Sequence, residues 1–106
     1  MREKKVIVLD LNGVKYIDEL HERIRLTFGF EEWYGANWSA FWDLLSTEVP
    51  AEFTDIEITG LTKLPAELTE SGEKMIEIIQ ENKEYREEVH ERLPDYECSL
   101  DYHIID

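Results

Sequence analysis

The chain has 106 residues, 42% of them apolar and 34% charged, which is enough for one folded domain around a single core and argues against disorder. Its 25 acidic and 11 basic residues give a formal net charge of -14. That balance repels nucleic acid and anionic membranes and favours a basic protein as partner. The single cysteine, Cys98, excludes an intramolecular disulfide and fits a reducing compartment.

The basic start, Arg2 to Lys5, leads into a run from Val6 to Leu9 that Asp10 ends. This is too short for a signal peptide or a membrane span, so a cytoplasmic protein is expected. Val6–Leu9 instead reads as a buried first strand, with Leu11 beyond it. Asn12-Gly13 marks a turn. A hairpin into Val14–Ile17 is the local alternative, but helical spacing takes over at once. Ile17, Leu20, Ile24 and Phe28 recur at helical intervals, Asp18 and Glu19 suit a first turn, and Gly29 suits a stop. Helix 1 is expected over 18–28.

The stretch from Trp33 to Asp43 is the densest chemical feature. It holds all three tryptophans with Tyr34, Asn37 and Phe41 beside one carboxylate. Gly35 breaks the chain and Asn37 is a good N-cap for helix 2 over 38–47. At 100° per residue, Ala40, Phe41, Leu44 and Leu45 form an apolar arc. Trp38 and Trp42 fall on the edge of that arc, and Ser39, Asp43 and Ser46 lie beyond them. Indoles on the border of the core beside an exposed acid describe a docking surface.

Pro50 closes that region. The alternation in Asp55–Thr59, bounded by Gly60, predicts a short second strand. One helical turn is expected within Thr62–Leu68, around Pro65. Thr69 or Ser71 then caps a long helix over about 72–91, which Leu93-Pro94 stops. Leu100–Ile105 is the last strand, with Ile104 and Ile105 expected inside. On the long helix Glu73, Glu77, Glu81, Glu84, Glu88 and Glu91 fall in one narrow arc. Like charges at this spacing disfavour an isolated helix by about 0.2–0.5 kcal/mol per pair. The order β-α-α-β-α-β predicts an α/β fold with a small parallel sheet, right-handed crossovers and one domain over 1–106.

No phosphate-binding loop, dinucleotide fingerprint, nucleophile elbow or zinc spacing occurs. His21, His90 and His103 are scattered, and Cys98 reads as a small core residue. Asp43 with a histidine is the weakest of three functional readings, and no cofactor or metal is expected. An acidic adaptor or DNA mimic that docks through the glutamate stripe is the second. The first is an inhibitor whose acids and indoles enter a cationic cleft.

Tyr34-Gly35, Asn37, Ala40 and Trp42-Asp43-Leu44-Leu45 resemble the signature of the barstar family of intracellular ribonuclease inhibitors. The likeness extends to Val6–Gly13, Leu20-His21, Leu68–Gly72 and Ile104-Ile105, which spans most of the chain. The resemblance implies a three-stranded parallel sheet with helices packed on it. It implies a basic nuclease or toxin as partner, no direct binding of nucleic acid or membrane, and a free monomer. The expected contact residues are Trp33, Tyr34, Gly35, Asn37, Trp38, Ser39, Trp42, Asp43, Ser46 and Thr47, with Glu81 from the long helix. Asp43 matches the carboxylate that replaces a substrate phosphate in the nuclease site. Trp33 stands where the family has a tyrosine that packs on the nuclease. Ser39 stands where the family has a second aspartate, and Glu48 where it has a tryptophan. The contact glutamate falls at Glu81 or Asn82, and about ten additional residues precede the last strand.

Overall fold

The computed structural model describes residues 5–30, 37–47, 54–95 and 99–105. Three parallel strands, β1 (Lys5–Asp10), β2 (Thr54–Thr59) and β3 (Leu100–Ile104), lie in that order in one sheet. The helices α1 (Ile17–Phe28) and α2 (Trp38–Thr47) connect β1 to β2. Two short 3-10 turns (Leu61–Lys63 and Ala66–Leu68) and α3 (Thr69–Arg92) connect β2 to β3. Both crossovers step the same way across the sheet. Crossovers of one hand that step in one direction place their helices on one face. α1 lies on β1, α3 on β3, and α2 against α3.

The one-sided arrangement explains the main departure from expectation. Val6 and Val8 were expected inside, but they are 50% and 53% exposed while Ile7 and Leu9 are buried. A parallel strand reads as continuously apolar when both of its faces are covered. Here only the helix face is. β2 shows the same alternation, with Thr54, Ile56 and Ile58 buried and Asp55, Glu57 and Thr59 more open. Ile104 and Ile105 also differ from expectation, at 48% and 49% exposed. Ile104 points to the helix side but at the sheet edge. There it lines an open cleft of ≈ 400 Å³ with Leu61, Leu64 and Ile76.

The core is one cluster. Leu9, Leu11, Leu20, Ile24, Ile56, Ile58, Met75 and Ile79 are almost fully buried, and Phe41 and Leu45 bring α2 into it. Val14 is also buried, and no second hairpin arm forms around it. α1 begins one residue before the expected start. The Glu19 carboxylate accepts from the Lys15 and Tyr16 N–H groups at 3.0 and 3.1 Å, which satisfies donors at the helix entry. Gly29, at φ 72°, ends α1 as expected. α3 begins at Thr69, three residues before the expected start, and Leu68 rather than Thr69 or Ser71 holds the cap position. Gly72 lies inside the helix because a Cβ there would come within 2.9 Å of Leu64. Cys98, Glu48 and Pro50 lie outside the described residues.

The carboxyl ends of β1 and β2 are tied by one side chain. Asp10 Oδ1 accepts from Asn12 N at 3.0 Å, Asn12 Nδ2 at 2.7 Å and Thr59 Oγ1 at 3.0 Å. These bonds favour the ionised form and hold the Asp10 carboxyl below its usual range. The Arg23 guanidinium joins α1 to this turn by donating to the Asp10 and Asn12 carbonyls. Gly60 closes over it at φ 78°, and a Cβ there would lie 2.6 Å from the Asn12 nitrogen. Gly60→Ala should therefore destabilise the fold by more than about 1 kcal/mol, through left-handed strain and the forced shift of the Asn12 backbone. A urea unfolding midpoint within error of the parent would show that this turn has slack.

Candidate docking site

Phe41 fixes the position of α2. It is fully buried, with ring centroids 5.9 Å from Phe28, 6.5 Å from Phe30 and 5.8 Å from Trp38. Asn37 caps the helix as expected. Its Oδ1 accepts from Ala40 N at 2.8 Å, which satisfies one of the free N–H groups of the first turn. With Phe41, Leu44 and Leu45 directed inward, the 100° step leaves Trp38 and Trp42 half-buried and turns Ser39, Asp43 and Ser46 outward.

Trp38, Ser39, Trp42 and Asp43 of α2 meet Lys74, Ile78 and Glu81 of α3 around a shallow groove of ≈ 300 Å³. Two carboxylates from different helices thus share one notch with two indole walls and an isoleucine. Glu81 is exposed on this groove while Asn82 is fully buried, so Glu81 is the residue of that pair available to a partner. Trp33, Tyr34 and Gly35 lie outside the described residues, as does the side chain of Thr47.

Four features of the site were not apparent in the sequence. Lys74 places a cation in the groove, and its Nζ is 4.0 Å from the exposed Glu77 carboxylate. His21 is buried and packs against Trp38 with the rings tilted and their centroids 4.6 Å apart. Tyr85 meets Trp42 edge to face at 6.0 Å. Finally, a buried polar chain braces the two helices. Asn82 Nδ2 donates to Ser46 Oγ at 2.9 Å, and that hydroxyl donates to the Trp42 carbonyl at 2.9 Å. Arg86, also buried, donates from Nε to Asn82 Oδ1 and from Nη2 to the Leu45 carbonyl, both at 3.0 Å. A guanidinium beside the Leu45 carbonyl, near the described end of α2, complements the negative end of the helix dipole. Ser46, expected to face the partner, is exposed and is also a link in this brace. Helical spacing from Met75, Ile78 and Ile79 reaches positions 82 and 86, so the period itself was the signal that could have found Asn82 and Arg86 despite their polarity.

Among the described residues, Asp55, Asp101 and His103 bring ligand-type atoms within 4.8 Å of one another on the open sheet face. Lys83 Nζ already sits 3.1 Å from Asp101 Oδ1. Also among the described residues, no helix is long and apolar enough to cross a membrane.

Two measurements test this construction. Asn82→Ala would remove the acceptor that the buried Arg86 Nε uses and should cost about 1–3 kcal/mol in urea unfolding. A loss below a few tenths would show that water replaces the brace. The second uses pH. Burial lowers the His21 pKa below its ordinary 6.5, so the folded state favours the neutral ring. The unfolded chain takes up the proton first as pH drops below 6.5. The contribution of His21 is therefore complete above that pH and is lost as pH falls through the lower folded-state value. His21→Gln should flatten this limb of a stability–pH curve. The limb below 3.8, from Asp10 and Asp101, should remain, because their carboxyls are held down by hydrogen bonds from Asn12 and Tyr102. An unchanged upper limb in His21→Gln would refute the assignment.

No curated protein sequence matches the chain. A family model described as Barstar (barnase inhibitor) matches residues 4–96, and with most of its length covered the chain belongs to the barstar family.

Proposed function

We propose that this protein inhibits a basic nuclease by seating the α2–α3 groove in the nuclease active site. The observation that carries the reading is the pairing of Asp43 with Glu81 across two braced helices, between the half-buried Trp38 and Trp42. A nuclease holds its substrate phosphates with lysine and arginine. Carboxylates fixed in a shallow notch accept the same charge-assisted bonds. The indoles exclude water around those bonds and strengthen them. Trp33, Tyr34, Gly35, Asn37, Ser39 and Thr47 complete the contact surface. Inhibition is by occupancy, and no bond is made or broken.

The long-range charge has a separate role. Glu73, Glu77, Glu84, Glu88 and Glu91 are all exposed along α3, and the chain carries a net charge of -14. Such a field raises the association rate of a cationic partner and weakens with salt, since the Debye length shortens to about 8 Å at physiological ionic strength. The free inhibitor acts as a cytoplasmic monomer that protects its own cell.

The test is titration of barnase, and of other small basic ribonucleases of that type, with the protein while RNA cleavage is followed. Stoichiometric inhibition of at least one is expected. Asp43→Ala and Trp42→Ala should each weaken it by about tenfold or more, as at the centre of an interface. Added salt should slow association more than it speeds dissociation. Unchanged inhibition in both variants would refute this surface. So would loss of binding in Glu77→Lys with Glu84→Lys alone, which would favour docking through the glutamate stripe.

A further inference from the structure

The outer half of α3 carries a second stripe. Tyr85, Val89 and Leu93 recur every four residues, and Tyr85 and Leu93 are 47% and 58% exposed, with Val89 half-buried between them. Single exposed apolar residues are ordinary, but three in one row are not. The row is continuous with the groove because Tyr85 touches Trp42 edge to face. It also runs past the described end of α2. Arg86 holds the Leu45 carbonyl near that end, and from Glu87 to Asp95 every residue except Val89 is exposed. The glutamate arc borders the row, with Glu81 and Glu88 nearest to Tyr85 at helical spacing.

We propose that Tyr85, Val89 and Leu93 extend the docking surface beyond the groove and receive an amphipathic basic segment of the partner. That segment would lay apolar side chains on the row and direct arginine or lysine to Glu81 and Glu88. Charge complementarity selects this occupant: Glu81 and Glu88 edge the row at its Tyr85 end, Arg92 stands beside Val89 at the other end, and the net charge of -14 favours apolar side chains with cations placed toward Tyr85 and repels a second copy of this chain. Combined with the groove, the surface reaches from Lys74 to Leu93. At about 1.5 Å per residue that is about 28 Å, the span of a protein rather than of one inserted side chain.

The proposal deepens the nuclease reading and rests on it for the partner, so the probes are chosen to separate the two. The first is a synthetic leucine–arginine peptide, LRRLLRRL, titrated into 15N-labelled protein. Shifts should centre on the Trp42 indole N–H, Tyr85, Val89 and Leu93. Affinity should fall about tenfold in the double variant Tyr85→Ala with Leu93→Ser and return with Tyr85→Phe in place of the alanine. The single variant Leu93→Ser, beyond the last helical residue, should weaken binding in the same direction and guards against misfolding of the double variant. The second probe is the ribonuclease titration above, repeated with these variants. If shifts scatter over the exposed glutamates, or stop at Glu81 while the variants bind the peptide as the parent does, the extension is wrong. Loss of ribonuclease inhibition in Asp43→Ala, with none in the Tyr85 and Leu93 variants, would also overturn the extension and leave the nuclease reading standing. A peptide footprint on the row, with no ribonuclease inhibited by the parent, would instead uphold the extension and overturn the nuclease reading.

Discussion

The site depends on the hydrogen-bonded chain from Trp42 through Ser46, Asn82 and Arg86 to Leu45. A groove made of side chains from two helices has no fixed shape unless the helices are fixed to each other. Apolar contact alone resists separation but resists sliding poorly, because it has no direction. Hydrogen bonds have direction. The buried amide of Asn82 and guanidinium of Arg86 are costly to leave unpaired, so one register of α2 against α3 is strongly preferred. Asp43 and Glu81 keep their separation as a result, so under the proposed docking they would act as preset acceptors rather than mobile ones.

The aromatic bed serves the same end from the other side. Phe28, Phe30 and Phe41 fill the space under the start of α2, and His21 and Phe41 support the Trp38 ring. An indole packed on its inner face and open on its outer face loses little freedom when a partner covers it. The sheet takes no part in the docking surface. Its helix face provides the core, and the crossovers place every helix on that side, so the surface is built from the outer helices.

Much of this was legible in the chain. The element order, the parallel sheet and the half-buried tryptophans followed from periodicity and from the N-cap at Asn37. Helical wheels worked for α2 because its apolar and polar residues separate cleanly. On the inner face of α3 the spacing of Met75, Ile78 and Ile79 runs on to positions 82 and 86, but a polar asparagine and a charged arginine stand there, and residue type hid what the period places inside. The reading of apolar, β-branched runs as buried strands misjudged Val6, Val8, Ile104 and Ile105. β-branched residues favour strands whether or not the strand is covered. Composition therefore located the strands and could not tell how many faces they bury. The position of Lys74 in the groove depended on the angle between two helices, which no local spacing encodes.

That lysine makes the notch asymmetric. Positive charge arriving along the α3 rim at its amino end meets an ammonium group, while charge arriving over the α2 rim meets Asp43 first. An inhibitor with a uniformly anionic groove would accept many cationic clefts in many poses. An ammonium on one rim would turn a cationic surface toward the other rim, which narrows the poses open to it.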